Sequence, residues 1–232
     1  MRDCRTCSGK QTCHVGEIAL DASHVIYLGR GAREMAGGNL PLASENLHVL
    51  LRATSCWQAG RLWTTAMIWE EQIREQLGRL GLTPPPGAAW EDYVVTYSAA
   101  RSVAPIGGLY GGRHDEDLLR RVMEEATRQP TMLVTNDEGL FEQARRHLFC
   151  LPSCGFTAEN STDMMLRLLD CGAVPEPVID ACLAAEHRNL QQMLQNGMDS
   201  TKFEVKLRRL ERASQRLILR RFDEDSPDAV DG

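Results

Sequence analysis

A short apolar run that ends in an acid constrains this chain more than any other stretch. Met132, Leu133 and Val134 suit a strand buried on both faces, and Thr135-Asn136-Asp137 turns polar where such a strand would end. Leu140, Phe141 and Ala144 follow at helical spacing, which puts Asp137 at a strand-to-helix junction. In a parallel α/β sheet the ligand crevice lies beyond the carboxyl ends of the strands, so an acid at such a junction points into that crevice.

The same arrangement recurs near the start of the chain. Glu17-Ile18-Ala19-Leu20 delivers Asp21, with Ser23 two residues on. Tyr27 to Arg33, containing Gly29 and Gly31, then reads as a glycine-punctuated exit on which Arg30 and Arg33 are candidate phosphate contacts or plain solvated side chains. A third acidic group, Asp115-Glu116-Asp117, opens a helix whose apolar positions Leu118, Leu119, Val122, Met123 and Ala126 keep helical spacing from Asp115. Glu70 and Glu71 follow a predicted strand over Arg61–Ala66; the helix dipole favours acids there without any catalytic role. Glu71 is preferred because Ile68 and Ile73 set it beside the buried stripe.

Other expectations fill in the chain. Pro41 begins a helix that ends near Gly60, Trp90–Tyr97 holds a short β-like run, and Ile106–Gly112 is a glycine-rich loop delivering Arg113, His114 and Asp115, with His114 as an exposed loop residue. His147–Leu151 reads as a last strand ending at Pro152. Three helical patterns follow, Ser161–Cys171, Pro175–Gln195 and Ser200–Phe222. In the last, eight bases stand against only Glu204 and Glu211. Such a face suits an RNA backbone, a docked partner or a second copy of the chain, or an ordinary amphipathic helix folded on the core.

A chain of 232 residues with 43% hydrophobic composition can bury one sizeable core. Its divisions read as a Cys-rich segment 1–16, an α/β domain 17–158, a helical extension 159–222 and an acidic, disordered tail 223–232. The net charge of −6 comes largely from the five acids of that tail, so it neither favours nor excludes a polyanionic substrate. No apolar run is long enough for a membrane span and the N-terminus lacks the apolar core of a signal peptide, which reads as cytoplasmic. Eight cysteines without an export signal suggest thiols or metal ligands. Cys56, Cys171 and Cys182 sit among apolar neighbours and read as core, whereas Cys4, Cys7, Cys13 and His14 offer ligands to a structural Zn²⁺, with Cys150 and Cys154 as further donors. The adjacency of Cys13 and His14 cramps such a site; the alternative is a flexible, thiol-bearing N-terminus.

Carboxylates at strand ends, without a thiol or imidazole pair, make a hard oxygen site suited to Mg²⁺ or Mn²⁺. The chemistry it supports is hydrolysis of a phosphodiester by a metal-activated water. Leu20-Asp21-Ala22-Ser23-His24-Val25-Ile26, the Glu70-Glu71 helix, His114-Asp115-Glu116-Asp117-Leu118-Leu119 and Val134-Thr135-Asn136-Asp137 together resemble the PIN-like nuclease superfamily, including its NYN branch. The resemblance covers Ile18 to about Leu151. It implies a Rossmann-like three-layer α/β/α sandwich with a central parallel sheet, and a metal-dependent endoribonuclease acting on single-stranded or structured RNA. Carried onto this chain, it makes Asp21 the first-strand ligand, Glu71 or Glu70 the middle acid, Asp115 or its competitor Asp117 the acid opening a helix, and Asp137 the acid of the Thr-Asn-Asp turn. Ser23, Asn136 and Arg30 are secondary candidates. His24 stands where the NYN branch usually has asparagine. The alternative is an inactive PIN-like scaffold or an RNA-binding interaction subunit.

Overall fold

The computed structural model describes residues 16–58, 61–84, 89–90, 94–98, 112–150, 156–197 and 200–224. Cys4, Cys7, Cys13, His14 and Cys154, the loop from 106 to 111 and the tail from 225 onward lie outside these residues, and so do the side chains of Cys56 and Cys150.

Five strands form one all-parallel sheet in the order β3-β2-β1-β4-β5. They are β1 (Glu17–Leu20), β2 (Arg61–Thr65), β3 (Val95–Tyr97), β4 (Thr131–Thr135) and β5 (Phe156–Asn160). The central strands β1 and β4 are buried at every position, as their near-continuous apolar sequences require. Leu20 pairs with Val134, and Thr135 with Asn160, so the carboxyl ends of β1, β4 and β5 lie side by side. From β1 the chain steps to β2 and β3 on one side and resumes at β4 on the other. The reversal falls between β1 and β4, which is the topological switch point where open parallel sheets bind ligands.

Helices flank the sheet. The first are α1 (Ala22–Met35), α2 (Leu40–Gln58), and one continuous rod made of α3 (Ala66–Ile68), a π-turn (Trp69–Ile73) and α4 (Arg74–Arg79). The rod ends before Gly81, whose φ of +71° is a left-handed conformation that glycine adopts without strain. Further along come α5 (Arg113–Ala126), α6 (Glu138–Cys150), α7 (Ser161–Asp170), α8 (Glu176–Gln195) and α9 (Ser200–Glu224). Parallel β-α-β crossovers are right-handed as a rule, and with this strand order that rule assigns α5 and α6 to the opposite face from α1 and α2. Among the described residues, no helix is long and apolar enough to cross a membrane.

Several local expectations are corrected. Tyr27–Arg33 is not an exit loop but the middle of α1, where Gly29 sits against Leu80 and Leu82, and Gly31 leaves room only for the backbone and thiol of Cys182 on α8. Glycine is used here for close helix approach. His147–Cys150 continues α6 instead of forming a strand. The last strand is Phe156–Asn160, hidden from a hydropathy reading because Thr157, Glu159 and Asn160 are polar; buried Glu159 pairs with Arg167 through Oε1. Finally, α9 takes in Asp223 and Glu224 from the supposed tail.

The segment 159–222 begins inside β5 and stays against the sheet domain. α8 lies along α1. On α9, Phe203, Leu210, Ala213 and Leu217 are buried, and salt bridges tie Arg209 to Glu138 of α6, Arg216 to Asp170 of α7, and Arg221 to Glu176 and Asp180 of α8. Cys182 is buried as expected, and Cys171 is half-buried.

Candidate functional site

At each of four strand ends the chain enters a helix through a side-chain cap. Thr65 caps α3 after β2 and Asn160 caps α7 after β5. Beyond the two central strands the caps are acids: Asp21 accepts from Ser23 N, and Asp137 Oδ1 accepts from Leu140 N at 2.9 Å. Capping alone accounts for short polar residues in these positions. It does not account for placing both acids at the switch point, nor for the bonds that join them.

Those bonds run through Thr135, the last residue of β4. Its hydroxyl donates to Asp21 Oδ2 at 2.8 Å and accepts from Asp137 N at 2.9 Å. Ser23 Oγ donates to the same Asp21 oxygen and accepts from Asn136 N at 2.8 Å. Asp21 is 4% exposed, and its Oδ1 accepts none of these bonds. Asp137, by contrast, is exposed.

Asp115, half-buried in the first turn of α5, feels the charge of both of these acids. Burial first, and then the charges of Asp21 and Asp137, push its carboxyl up to about 6. Asp21 is also raised, by burial above all and in part by Asp137, against the lowering effect of its bonds from Ser23 and Thr135. Three acids from three elements therefore share one electrostatic neighbourhood.

The remaining candidates separate clearly. Glu71 lies on the π-turn and its Oε2 stands 2.8 Å from His114 Nε2, one residue before Asp115. His114 is thus a half-buried member of the first turn of α5, not an exposed loop residue. Glu70 turns away to pair with Arg74 in solvent. Asp117 stays a separate feature, with Oδ2 buried and, among the described residues, without a hydrogen-bond partner.

Arg30 and Asn136 serve a brace. Both bond to the buried carboxylate of Glu186 on α8, at 3.1 Å and 2.7 Å. Arg30 is therefore engaged on α1 instead of being presented to a phosphate, and Arg33 is exposed at the far end of the same helix. The brace holds the turn after β4 against α1 and α8. Sequence reading missed Glu186, yet it falls on the apolar stripe Ile179, Cys182, Leu183, Leu190, where a lone acid signals a buried partner.

His24 is fully buried, with Nδ1 2.9 Å from Ser161 Oγ, and burial pushes it down to about 3. It is a neutral link between α1 and α7.

The donor set at the switch point, carboxylate oxygens alone, matches a hard divalent cation. Among the described residues, no three Asp, Glu, His or Cys side chains are already closed around an ion position. The acids are coupled through space and not pre-assembled. No family model, curated protein or solved structure matches this chain.

Proposed function

We propose that the switch-point acids are the catalytic centre of a PIN-like, divalent-metal-dependent endoribonuclease. The observation that carries this reading is the bonded path Asp21–Thr135–Asp137 across the ends of β1 and β4, with Asp115 on α5 coupled to both acids by charge. Structural caps do not need to repel one another, and a cluster that does is stabilised by a cation.

Asp21, Asp115 and Asp137 would hold Mg²⁺ or Mn²⁺. When bound, such an ion lowers the pKa of a water and offsets negative charge on the phosphodiester. The chain's own part is positional. Ser23 and Thr135 fix the Asp21 carboxylate from one side, leaving Oδ1 uncommitted. Glu186 and Arg30 fix Asn136, and with it the turn that presents Asp137. Glu71 Oε2 holds His114 Nε2 at 2.8 Å and so steadies the first turn of α5, from which Asp115 projects.

Incubating purified protein with mixed RNA and DNA, with and without Mn²⁺, tests the reading. Metal-dependent shortening of RNA, reversed by EDTA, is expected. Intact RNA with every divalent metal tried would favour the inactive scaffold.

A further inference from the structure

One strand beyond the acids, the surface opens into a cleft of about 640 Å³ between α6, the start of α7 and α9. Its lining contains Arg145, Arg208, Arg209, Arg212 and Arg216 against a single acid, Asp163. The cleft adjoins the acid site in the sheet itself. Asn160, on its wall, is the register partner of Thr135, the residue that bonds Asp21 and Asp137. Neighbouring strands lie about 4.8 Å apart, so Asn160 begins the cleft roughly that far from Thr135, and the end of β1 that leads into Asp21 is one strand further on.

The arginines are arranged, not merely abundant. Arg209 makes a two-pronged bond to Glu138, the residue after Asp137, at 2.6 and 3.1 Å. Its guanidinium and that of Arg145 both lie over the Phe141 ring, 5.5 and 5.7 Å from its centre. Arg208 has only its exposed partner Glu204 one turn away, and Arg212 has no acidic partner among the described residues. A concave, cationic wall of planar forks matches phosphate groups, which accept paired N–H donors. The volume suits a segment of one strand and not a duplex. A protein partner would call for a broad open apolar centre, but Phe141, Leu166 and Ala213 in this wall are buried and Val205 alone of its apolar side chains is exposed.

We propose that this cleft holds the phosphate backbone of single-stranded RNA on its approach to the acids; the identity of the ligand rests on the nuclease reading above. The α9 arginines then divide by role. Arg209, Arg216 and Arg221 fasten the helix to the domain, while Arg208 and Arg212 face the strand.

The test is binding of a fluorescein-labelled oligouridylate of about twelve nucleotides, a span within single-strand site sizes, followed by anisotropy in EDTA so that nothing is cleaved. Arg208→Gln combined with Arg212→Gln keeps helix propensity and removes two exposed charges. Affinity should fall about tenfold, and the slope of log affinity against log salt should flatten by about 1.4, at ~0.7 for each single-strand phosphate deprived of its arginine. A control pair, Arg33→Gln with Arg52→Gln, is exposed on α1 and α2 outside the cleft lining and should bind as wild type does. Unchanged binding in the cleft variant, or an equal loss in the control, overturns the proposal. Displacement of the RNA by a twelve-residue polyglutamate at equal concentration also overturns it, in favour of an acidic protein partner. Cleft-dependent RNA binding without cleavage under any divalent metal would sink the nuclease reading and leave the cleft assignment standing. Cleavage with unchanged KM in the cleft variant would do the reverse.

Discussion

Asp115→Asn should stabilise the metal-free protein at neutral pH and do nothing for it in acid. The wild-type carboxyl moves from 3.8 to about 6 on folding, chiefly through burial and secondly through Asp21 and Asp137. A group raised in this way binds more protons when folded than when unfolded. Its stabilising effect is therefore complete below about pH 4 and is lost as pH rises through about 6. At 1.36 kcal/mol per pH unit the full loss would be about 3 kcal/mol. Asp115 is only half-buried, and solvent screening brings the expected figure to about 1–2 kcal/mol. For a domain of this size that is a rise in Tm of roughly 3–6 °C for Asp115→Asn at pH 7.5. Differential scanning fluorimetry in EDTA at pH 7.5 and pH 4 measures it directly. Because burial exceeds the charge effect, 1 M salt should remove only the smaller part of the gap. Equal melting temperatures at pH 7.5, or a variant less stable at both pH values, would refute the claim that Asp115 feels the charge of two other carboxylates in a partly dry site.

Two further outcomes follow from other parts of the fold. His24 is held neutral at about 3 against 6.5 when unfolded, so wild type should lose about 2 kcal/mol between pH 8 and pH 5 from this residue alone. His24→Gln should lack that component in urea titrations at the two pH values, and an identical loss in both proteins would contradict the assignment. Gly31→Ala places a methyl group into the thiol and backbone of Cys182, so it should destabilise by about 1–3 kcal/mol although alanine favours helices. Adding Cys182→Ala should restore part of that loss in a double-mutant cycle, whereas a Gly31→Ala protein more stable than wild type would mean that α1 and α8 do not meet there.

The sheet was legible where its strands are apolar on both faces. Ile18–Leu20 and Met132–Val134 announce β1 and β4, and the acids after them announce the switch point. β5 was not legible, because Glu159 and Asn160 are polar for reasons that lie elsewhere in the chain, in Arg167 and in the cap of α7. Gly29 and Gly31 were misread for a related reason. A glycine required by a helix crossing looks in sequence like one required by a turn, and only the position of Cys182 tells them apart. Within the site, the sequence left Glu70 against Glu71 and Asp115 against Asp117 open. Tertiary contacts set each apart: Glu71 meets His114, and Asp115 meets the charges of Asp21 and Asp137. Thr135 and Glu186 carry the bonds that organise the turn; the apolar stripe around Glu186 marks it as a buried acid, whereas nothing local to Thr135 marks it for that role.

The central claim is that the acids just beyond β1 and β4 and the acid on α5 act as one metal-dependent site. The most direct measurement is the rate of RNA cleavage in Mn²⁺ by wild type, Asp21→Asn and Asp137→Asn, each first shown to melt cooperatively. The account predicts cleavage by wild type that EDTA abolishes, and a loss of at least about a hundredfold in each variant, as expected when one essential metal-site carboxylate is removed. Cleavage that persists in both variants, or in wild type with excess EDTA, would contradict it.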